Sequence, residues 1–260
     1  DGLFAPLEYI RDGYNEDWGR ANLRTQAKIV LLAAMLGMKY AQALPYTLSD
    51  CPPSPYLVLS SLLKNPLSIS IEWLIEDLKY LVEDTLYRQI RQAAESYKTE
   101  HHDDIERART REEIRIDSKT QKQHHYYLVD YALVEQVLYG MFEVIWQIIK
   151  SLPEDSVFKQ SLQEFKNSPA NNDKDLGSII EHILFLVLKQ KYFQENQRSG
   201  WDFRTWPNEI KGSRKGDEFT KVILENEERI QFNLFLQWAW MRQFECLLDI
   251  AELLGIQLVD

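Results

Sequence analysis

Short segments with the character of β-strands lie near the two ends of this chain of 260 residues. The first covers residues 2–7, an apolar run with a proline near its end, and the second covers residues 40–44. A third follows at residues 256–260. Between the first two, residues 22–36 carry apolar side chains at helical spacing, and Gly37 is placed to end that helix. This order of strand, helix and strand is typical of the parallel βαβ unit.

The middle of the chain carries helical patterns instead. Apolar side chains recur every three or four residues across 71–86, which predicts an amphipathic helix. Apolar helices are also predicted at residues 127–152 and 177–193, and the longest helical pattern covers residues 219–254 and ends at Gly255. The predicted fold class is therefore mixed α/β and predominantly helical.

Residues 93–123 have a different character, because they are charged and poor in large apolar side chains. This composition predicts an exposed helix or a pair of helices. No alternating strand pattern is evident from residue 93 to residue 231, so we expect a largely helical subdomain with fewer than three strands. Strands on either side of so long an insertion can still pair, because each doubling of a loop costs only about 0.6 kcal/mol.

Composition limits the classes of partner and compartment. Hydrophobic residues make up 45% of the chain, which indicates a globular protein, and the net charge of −10 argues against binding to a nucleic-acid backbone. With only two cysteines, Cys51 and Cys246, a reducing, cytoplasmic compartment is expected. The longest apolar run, residues 29–38, is shorter than the roughly 20 residues of a membrane span, so no membrane association is expected. No secretory signal is visible at the start of the chain. The chain opens with Asp1 and lacks an initiator methionine, which favours a piece of a longer polypeptide.

Histidines form the one group that could suggest a metal site. His101 and His102 precede two aspartates, and His124 and His125 follow further along the chain. Imidazole and carboxylate are suitable ligands, but adjacent residues on a helix do not face one site, and the surrounding residues are densely charged. The pattern favours a solvated face, and we expect neither a metal nor another cofactor.

Four tryptophans allow two interpretations. They could form a platform on which glycan rings stack, or they could pack in the core. Trp238 and Trp240 lie within a strongly apolar helical pattern, which favours core packing for these two. Trp201 and Trp206 lie in a polar region that predicts a loop.

Four blocks of sequence carry a family resemblance. They are Q-A-L-P at residues 42–45 with S-P-Y at 54–56, Ser60, N-P-L at 65–67 and Glu72; D-Y-A-L at residues 130–133; W-P at residues 206–207; and F-N-L-F-L-Q-W-A-W-M-R-Q-F at residues 232–244. Their order and spacing resemble the N-terminal part of glycoside hydrolase family 77, the 4-α-glucanotransferases or amylomaltases.

Some positions depart from the pattern of that family. Pro53 stands where the family usually has an acidic residue, and Leu57 and Val58 replace a polar pair. The sequence G-I-Q-L-V-D at residues 255–260 is similar to the family's G-I-x-L-I-G-D segment with one residue missing.

The resemblance implies the first strands of a (β/α)₈ TIM barrel with a large helical insertion. Residues 1–92 would supply the first two strands and helices of the barrel. Residues 93–231 would form the mainly helical inserted subdomain, and residues 232–260 the long helix and the third strand. The remainder of the barrel, in the same polypeptide, would be the partner of these strands.

The resemblance also implies roles for three residues. Tyr56 would stack on a sugar ring beside the scissile bond, and Ser54 would help to shape the same loop. Asp260 would be a supporting polar group at the end of the third strand. The alternatives are that Tyr56 packs within its proline-bounded loop and that Asp260 is simply solvated.

The activity implied is the transfer of α-1,4-glucan segments between maltooligosaccharides, starch or glycogen chains by a retaining mechanism. Such a mechanism uses two carboxyl groups roughly 5–5.5 Å apart. The family's catalytic acids have no counterpart in this sequence, so they would lie beyond Asp260 and the chain alone would be inactive. The alternative is a truncated, non-catalytic relative that binds glucan or another protein.

Overall fold

The structure is a computed structural model that describes residues 2–4, 22–43, 46–48, 58–109, 111–116, 123–128, 130–173, 177–195, 202–206 and 217–259. Over these residues it is mixed α/β and mostly helical, as the sequence predicts. The α-helices are α1 (Leu23–Met35), α2 (Ile71–Leu78), α3 (Asp84–Glu100), α4 (His102–Arg109), α5 (Tyr131–Ile149), α6 (Val157–Asn167), α7 (Ile179–Glu195), α8 (Asp217–Glu225) and α9 (Glu227–Leu253).

The strands form three separate sheets. They are β1 (Gly2–Phe4), β2 (Tyr40–Gln42), β3 (Arg111–Ile116), β4 (Gln123–Leu128), β5 (Asn172–Asp173), β6 (Gly177–Ser178) and β7 (Gln257–Val259).

The largest of these sheets is parallel, with the strand order β1-β2-β7. Its register aligns Phe4 with Gln42 and Gln42 with Val259, so the carboxyl ends of the three strands lie at one edge. The expectation that strands near the two ends of the chain pair is therefore confirmed. Ala41 on the central strand is fully buried.

Equivalent turns lead into β2 and β7. After α1, Gly37 has φ +71° and its N–H bonds to Ala34, while Met38 bonds to Ala33. After α9, Gly255 has φ +67° and the same pair of bonds reaches back into the last turn. This is the Schellman motif, in which glycine accepts the left-handed conformation without strain. Both predicted helix ends are confirmed.

The helices share one core built around α9. This helix packs against α1, α5, α6 and α7. Aromatic rings fill the contacts, with Trp146 stacked on Phe235 at 5.4 Å and Phe158 edge-to-face with Trp238 at 5.3 Å between ring centroids. The predicted boundaries at residues 92/93 and 231/232 fall inside α3 and α9, and the division into domains stays a prediction.

Among the described residues, α5 is long and apolar enough to cross a membrane by length and composition alone. Its apolar side chains face protein, since Val134, Met141, Phe142 and Ile145 are buried and α5 packs against α3, α4 and α9. A core helix passes the same test, and the packing favours that interpretation.

The expectation of fewer than three strands within residues 93–231 is wrong, because four short strands lie among the described residues there. Within residues 93–231, β3 and β4 form an antiparallel hairpin that pairs Arg111 with Leu128 and Ile116 with Gln123, and β5 and β6 form a smaller one. The physical reason is visible in E-I-R-I at residues 113–116, where charged and apolar residues alternate with the period of a strand. The preference of Glu and Arg for a helix is weak, and pairing with residues 123–128, which include aromatic residues, outweighs it.

Two predicted helices are also interrupted. The pattern across residues 71–86 divides into α2 and α3, with residues 79–83 between them. The pattern across residues 219–254 divides at Asn226, the N-cap residue of α9. Helix α6 has no counterpart among the predicted helices.

Candidate functional site

The three predicted site residues, Ser54, Tyr56 and Asp260, lie outside the described residues. The segments that flank them are described. Residues 46–48 and 58–70 flank residues 49–57, which include Ser54 and Tyr56, and Val259 precedes Asp260.

Backbone hydrogen bonds join the two described stretches that flank residues 49–57. Thr47 and Lys64 form an antiparallel bridge. Leu48 donates to the carbonyl of Leu63 at 2.8 Å, and its own carbonyl accepts from Leu59 at 2.8 Å. Asn65 donates to the carbonyl of Tyr46 at 2.9 Å. We call residues 46–48 together with 58–65 the loop base.

Short-range side-chain bonds shape the strand-free segment that follows. The Oδ1 of Asn65 accepts from Leu67 N at 3.0 Å, which caps the 3₁₀ turn Pro66–Ser68. The hydroxyl of Ser68 donates to the carbonyl of Asn65 at 2.8 Å. The hydroxyl of Ser70 accepts from Trp73 N at 3.3 Å and caps α2. Asn65 of the N-P-L block and Ser70 are therefore capping residues.

Three side chains of α9 form hydrogen bonds with this segment. The Oε1 of Gln237 accepts from Lys64 N at 2.7 Å, and its Nε2 donates to Lys64 O at 2.9 Å. Gln243 makes the same pair of bonds with Ser70, at 2.8 and 2.9 Å. Between them, the indole N–H of Trp240 donates to the hydroxyl of Ser68 at 2.8 Å. Each amide pairs with one backbone donor and one backbone acceptor, and those of Ser70 would otherwise be buried without a partner.

Tyr46 of the loop base forms an aromatic cluster with two side chains of α9. Trp240 stacks on Phe244 with ring centroids 4.8 Å apart, and Tyr46 meets both rings edge-on at 5.5 Å. Trp238 and Trp240 are only 1% and 0% exposed, which confirms core packing and excludes them as a glycan platform. Trp206 is also buried, against Phe185 and Tyr192. Trp201 lies outside the described residues.

A contact from the middle of the chain reaches the same place. His182 on α7 lies with its Nδ1 2.8 Å from the hydroxyl oxygen of Ser60. That oxygen also accepts from Leu62 N at 3.2 Å and Leu63 N at 3.1 Å. The loop base is therefore fastened to α7 as well as to α9.

The loop base emerges from the carboxyl edge of the parallel sheet. Ala43, directly after β2, donates to the carbonyl of Val259 at 3.1 Å. The residue after β2 and the last residue of β7 are therefore neighbours at the same edge.

Charged and thiol groups near α9 have shifted pKa values. Burial raises the pKa of Asp77, and the Arg242 guanidinium at 3.5 Å offsets part of that rise. Partial burial, with the carboxylates of Asp77 and Asp249, raises the pKa of the Cys246 thiol. A thiol whose pKa is raised stays protonated at neutral pH and is a poor nucleophile.

The histidines predicted to be solvated occupy two kinds of element. His101 stacks on Tyr97 with ring centroids 4.2 Å apart and lies 3.7 Å from Asp104, whereas His124 and His125 lie on strand β4 and not on a helix. Within the described ranges, no three His, Cys, Asp or Glu side chains converge on one point.

Comparison with known proteins decides the family. The family model for 4-α-glucanotransferases, glycoside hydrolase family 77, matches residues 14–260. The chain belongs to this family. A search of curated protein sequences gives no match.

Solved structures of two amylomaltases have a similar fold. The amylomaltase from Streptococcus agalactiae, determined in complex with acarbose, aligns with a TM-score of 0.67 at 16% identity. The alignment covers 99% of this chain and 42% of that one. The amylomaltase from Corynebacterium glutamicum gives a TM-score of 0.53 at 16% identity, over 98% of this chain and 29% of that one. This family member therefore spans less than half the length of either amylomaltase.

Sequence reasoning missed the residues that hold the loop base. In the sequence, Gln237 and Gln243 are simply members of the family block at residues 232–244, and no motif marks His182. Each bonds to a segment more than 120 positions away, with separations of 173 residues for the glutamines and 122 for His182. The one available signal was the presence of polar residues inside the apolar stripe of α9.

Proposed function

We propose that the chain is the first part of a retaining 4-α-glucanotransferase that acts on α-1,4-glucans. In this proposal β1, β2 and β7 are the first three strands of a (β/α)₈ barrel, and residues 93–231 are an insertion between the second and third. Membership of the 4-α-glucanotransferase family supports the reaction, and the amylomaltase fold supports the architecture.

The observation that carries the proposal is the common edge of the sheet. Active sites of TIM barrels lie at the carboxyl ends of the strands. The loop base follows β2 at that edge, and Asp260 follows β7 at the same edge. In this proposal Tyr56, Ser54 and Asp260 would act on a glucan at this edge.

The chemistry of the reaction indicates which groups this chain and the rest of the polypeptide would each supply. Retaining transfer needs a nucleophilic carboxylate and a carboxylic acid/base roughly 5–5.5 Å apart. We assign these groups to a part of the polypeptide beyond Asp260. This part of the chain would contribute the stacking face of Tyr56, the loop around Ser54 and the polar group of Asp260.

Binding of maltoheptaose tests the proposal. We expect measurable binding by isothermal titration calorimetry, and a loss of about tenfold in affinity for Tyr56→Ala, because stacking on an aromatic ring is worth about 1 kcal/mol or more. Tyr80→Ala is the control, since Tyr80 is 77% exposed on the connection between α2 and α3. Equal losses for the two variants, or no binding at all, would contradict the proposal.

Activity separates the proposal from a glucan-binding module. The 260-residue chain should not redistribute the chain lengths of maltotriose, because its residues do not match the family's acids. A longer polypeptide that contains the chain should do so. Redistribution by the 260-residue chain, lost in Tyr56→Ala, would place the acids within these residues. Glucan binding without activity in the complete natural protein would favour the non-catalytic module.

A further inference from the structure

A groove lies between the connection from α2 to α3 and the connection from α5 to α6. Its volume is about 670 Å³, a usual size for a ligand site, and every residue that lines it is among the described ones. Tyr80 on the first connection is 77% exposed, and Val157, the first residue of α6, is 59% exposed. The groove therefore offers a ligand apolar surface that is otherwise exposed to solvent.

Half-buried apolar side chains line the groove from both connections. Leu81, Val82 and Leu86 come from the side of α3, and Leu152 comes from the connection that precedes α6. All four also pack against the hydrophobic core, which fixes this surface relative to the helices. The part of a ligand that contacts these side chains should therefore be a hydrocarbon chain or another apolar group.

Two exposed carboxylates lie at the groove, one on each connection. Glu83 ends the connection from α2 to α3, and Asp155 lies in the connection from α5 to α6. Among the described side chains that line the groove, these two alone are charged. The other polar groups are neutral, on Thr85, Gln89 and Ser156. The lining therefore favours a positively charged ligand over a neutral or negative one.

Neither carboxylate is used to cap a helix. Glu83 is the N-cap residue of α3, but its side chain makes no capping hydrogen bond. Helix α6 is capped by Ser156, whose hydroxyl accepts from Lys159 N at 3.3 Å. Within the described part of the chain neither Glu83 nor Asp155 has an ion-pair partner, whereas Glu154 is paired with Lys159 at 3.4 Å. Nearby helix N-termini offset only part of each charge, so both carboxylates can bind a cation.

We propose that this groove binds a linear aliphatic polyamine, in which methylene chains separate ammonium groups. Ammonium groups pair with Glu83 and Asp155, and the methylenes cover the apolar side chains. Since the carboxylates come from two connections, a chain with an ammonium group at each end reaches both. The ring of Tyr80 is a further cation contact, and the Nζ of Lys79 already lies 5.8 Å from its centroid. This binding does not depend on the proposed function, since no glucan takes part.

Spermidine is the probe, and octanediol is a neutral chain of similar length. Spermidine should bind saturably in isothermal titration calorimetry at low ionic strength. Binding should weaken several-fold when salt is added, because ions screen exposed charges. Octanediol should bind at least about tenfold more weakly, because it cannot pair with the carboxylates. Equal affinities of the two chains, or no binding of spermidine, would overturn the proposal.

Two variants remove the charges one at a time. Glu83→Gln and Asp155→Asn should each weaken spermidine binding by about threefold, and the double variant by about tenfold, as is typical of exposed ion pairs. Glu164→Gln on α6 and Asp103→Asn on α4 are the matched controls, because both residues are exposed and neither lines the groove. Equal losses in the controls would mean that spermidine responds only to the net charge of the chain, and the assigned groove would be wrong.

A third variant supplies an ammonium group from the protein itself. Val157→Lys should lower spermidine affinity by about tenfold or more, because the new side chain competes for the same carboxylates. Circular dichroism should show an unchanged melting temperature, since position 157 is exposed. Unchanged affinity in a folded Val157→Lys chain would contradict the proposal.

Competition with maltoheptaose separates the groove from a sugar site. Maltoheptaose should not displace spermidine, and displacement would mean that the groove takes a neutral sugar, which overturns the polyamine assignment. Failure of spermidine to bind leaves the proposed function untouched, because that function is tested by maltoheptaose and Tyr56→Ala. Failure of maltoheptaose to bind likewise leaves the spermidine measurements to decide this site.

Discussion

The side-chain amide of Gln243 pairs with both backbone groups of Ser70, accepting from its nitrogen at 2.8 Å and donating to its oxygen at 2.9 Å. Gln243 is 1% exposed and Ser70 is fully buried. Gln237 repeats the arrangement with Lys64. The amides replace the backbone partners that a sheet would supply, so the segment 64–70 is buried on α9 without being a strand.

Gln243→Ala is expected to lower the free energy of unfolding by about 2–3 kcal/mol, because one buried donor and one buried acceptor of Ser70 lose their partners. Urea unfolding followed by circular dichroism measures the loss. Gln136→Ala, at an exposed position of α5, is the control and should change stability by less than about 0.5 kcal/mol. A loss in Gln243→Ala no larger than in the control would mean that water satisfies Ser70.

Gly140→Ala is expected to destabilise the chain although alanine favours helices. A Cβ at position 140 would contact the hydroxyl and ring of Tyr97. That ring is held by its bond to the carbonyl of Val137 at 3.1 Å and by its contact with the tilted ring of His101, so it cannot move freely. Overpacking of this kind costs about 1–3 kcal/mol, more than the roughly 1 kcal/mol gained in helix propensity.

The sign should reverse when Tyr97 is removed. In a Tyr97→Ala background, Gly140→Ala meets no ring and should stabilise the chain by about 0.5–1 kcal/mol. Thermal and urea unfolding of the four members of this double-mutant cycle give the comparison. The same sign in both backgrounds would show that the contact with Tyr97 does not decide the cost.

Alkaline pH provides a test of the packing around α5. Burial, followed by the nearby Glu135 carboxylate, raises the pKa of Tyr139 above its ordinary value. The unfolded chain therefore loses this proton first as the pH rises past about 10, and the free energy of unfolding falls from there upward. Tyr139→Phe should lessen this fall by about 1 kcal/mol at pH 11.

Urea unfolding at pH 8 and pH 11 measures that difference, with Tyr80→Phe as the control for loss of an exposed phenol. An equal dependence on pH in Tyr139→Phe and the original chain would mean that the phenol of Tyr139 reaches water when it ionises.

The sequence contains the local features of the fold but not its distant contacts. Gly37 and Gly255 could be identified as helix ends because the left-handed conformation after a helix favours glycine. The hairpin β3–β4 was missed because Glu and Arg favour a helix locally, whereas the strand is stabilised by pairing with residues 123–128. Interruptions such as Asn226 involve neither glycine nor proline, and local composition does not mark them.

The residues of the candidate site also divide into those that local sequence identifies and those that depend on distant contacts. The S-P-Y block could be identified because a family resemblance preserves residue types at fixed spacing. The partners of the loop base could not, because hydrogen bonds of Gln237, Gln243 and His182 depend on how α7 and α9 are placed by the whole core. Periodicity records which face of a helix is apolar, and it does not record which backbone a polar residue on that face will meet.

The last turns of α1 and α9 carry apolar side chains that are exposed to solvent. Met35 is 76% exposed and Leu253 is 87% exposed. Further exposed apolar residues on the same two helices are Leu31, Leu32, Leu36, Leu248 and Leu254. In the proposed barrel these surfaces would be covered by neighbouring units of a longer polypeptide.

In the 260-residue chain, Met35→Lys and Leu253→Lys should therefore change the free energy of unfolding by less than about 0.5 kcal/mol and should reduce self-association. Leu247→Lys, at a fully buried position of α9, is the contrasting variant and should cost about 3 kcal/mol or more. Urea unfolding and light scattering measure the two effects.

In a longer polypeptide that completes the barrel, Met35→Lys and Leu253→Lys should become destabilising, because the charge would then be buried without a partner. If both variants are equally harmless there, the last turns of α1 and α9 face solvent in the complete protein, and the proposed covering by further barrel units is wrong.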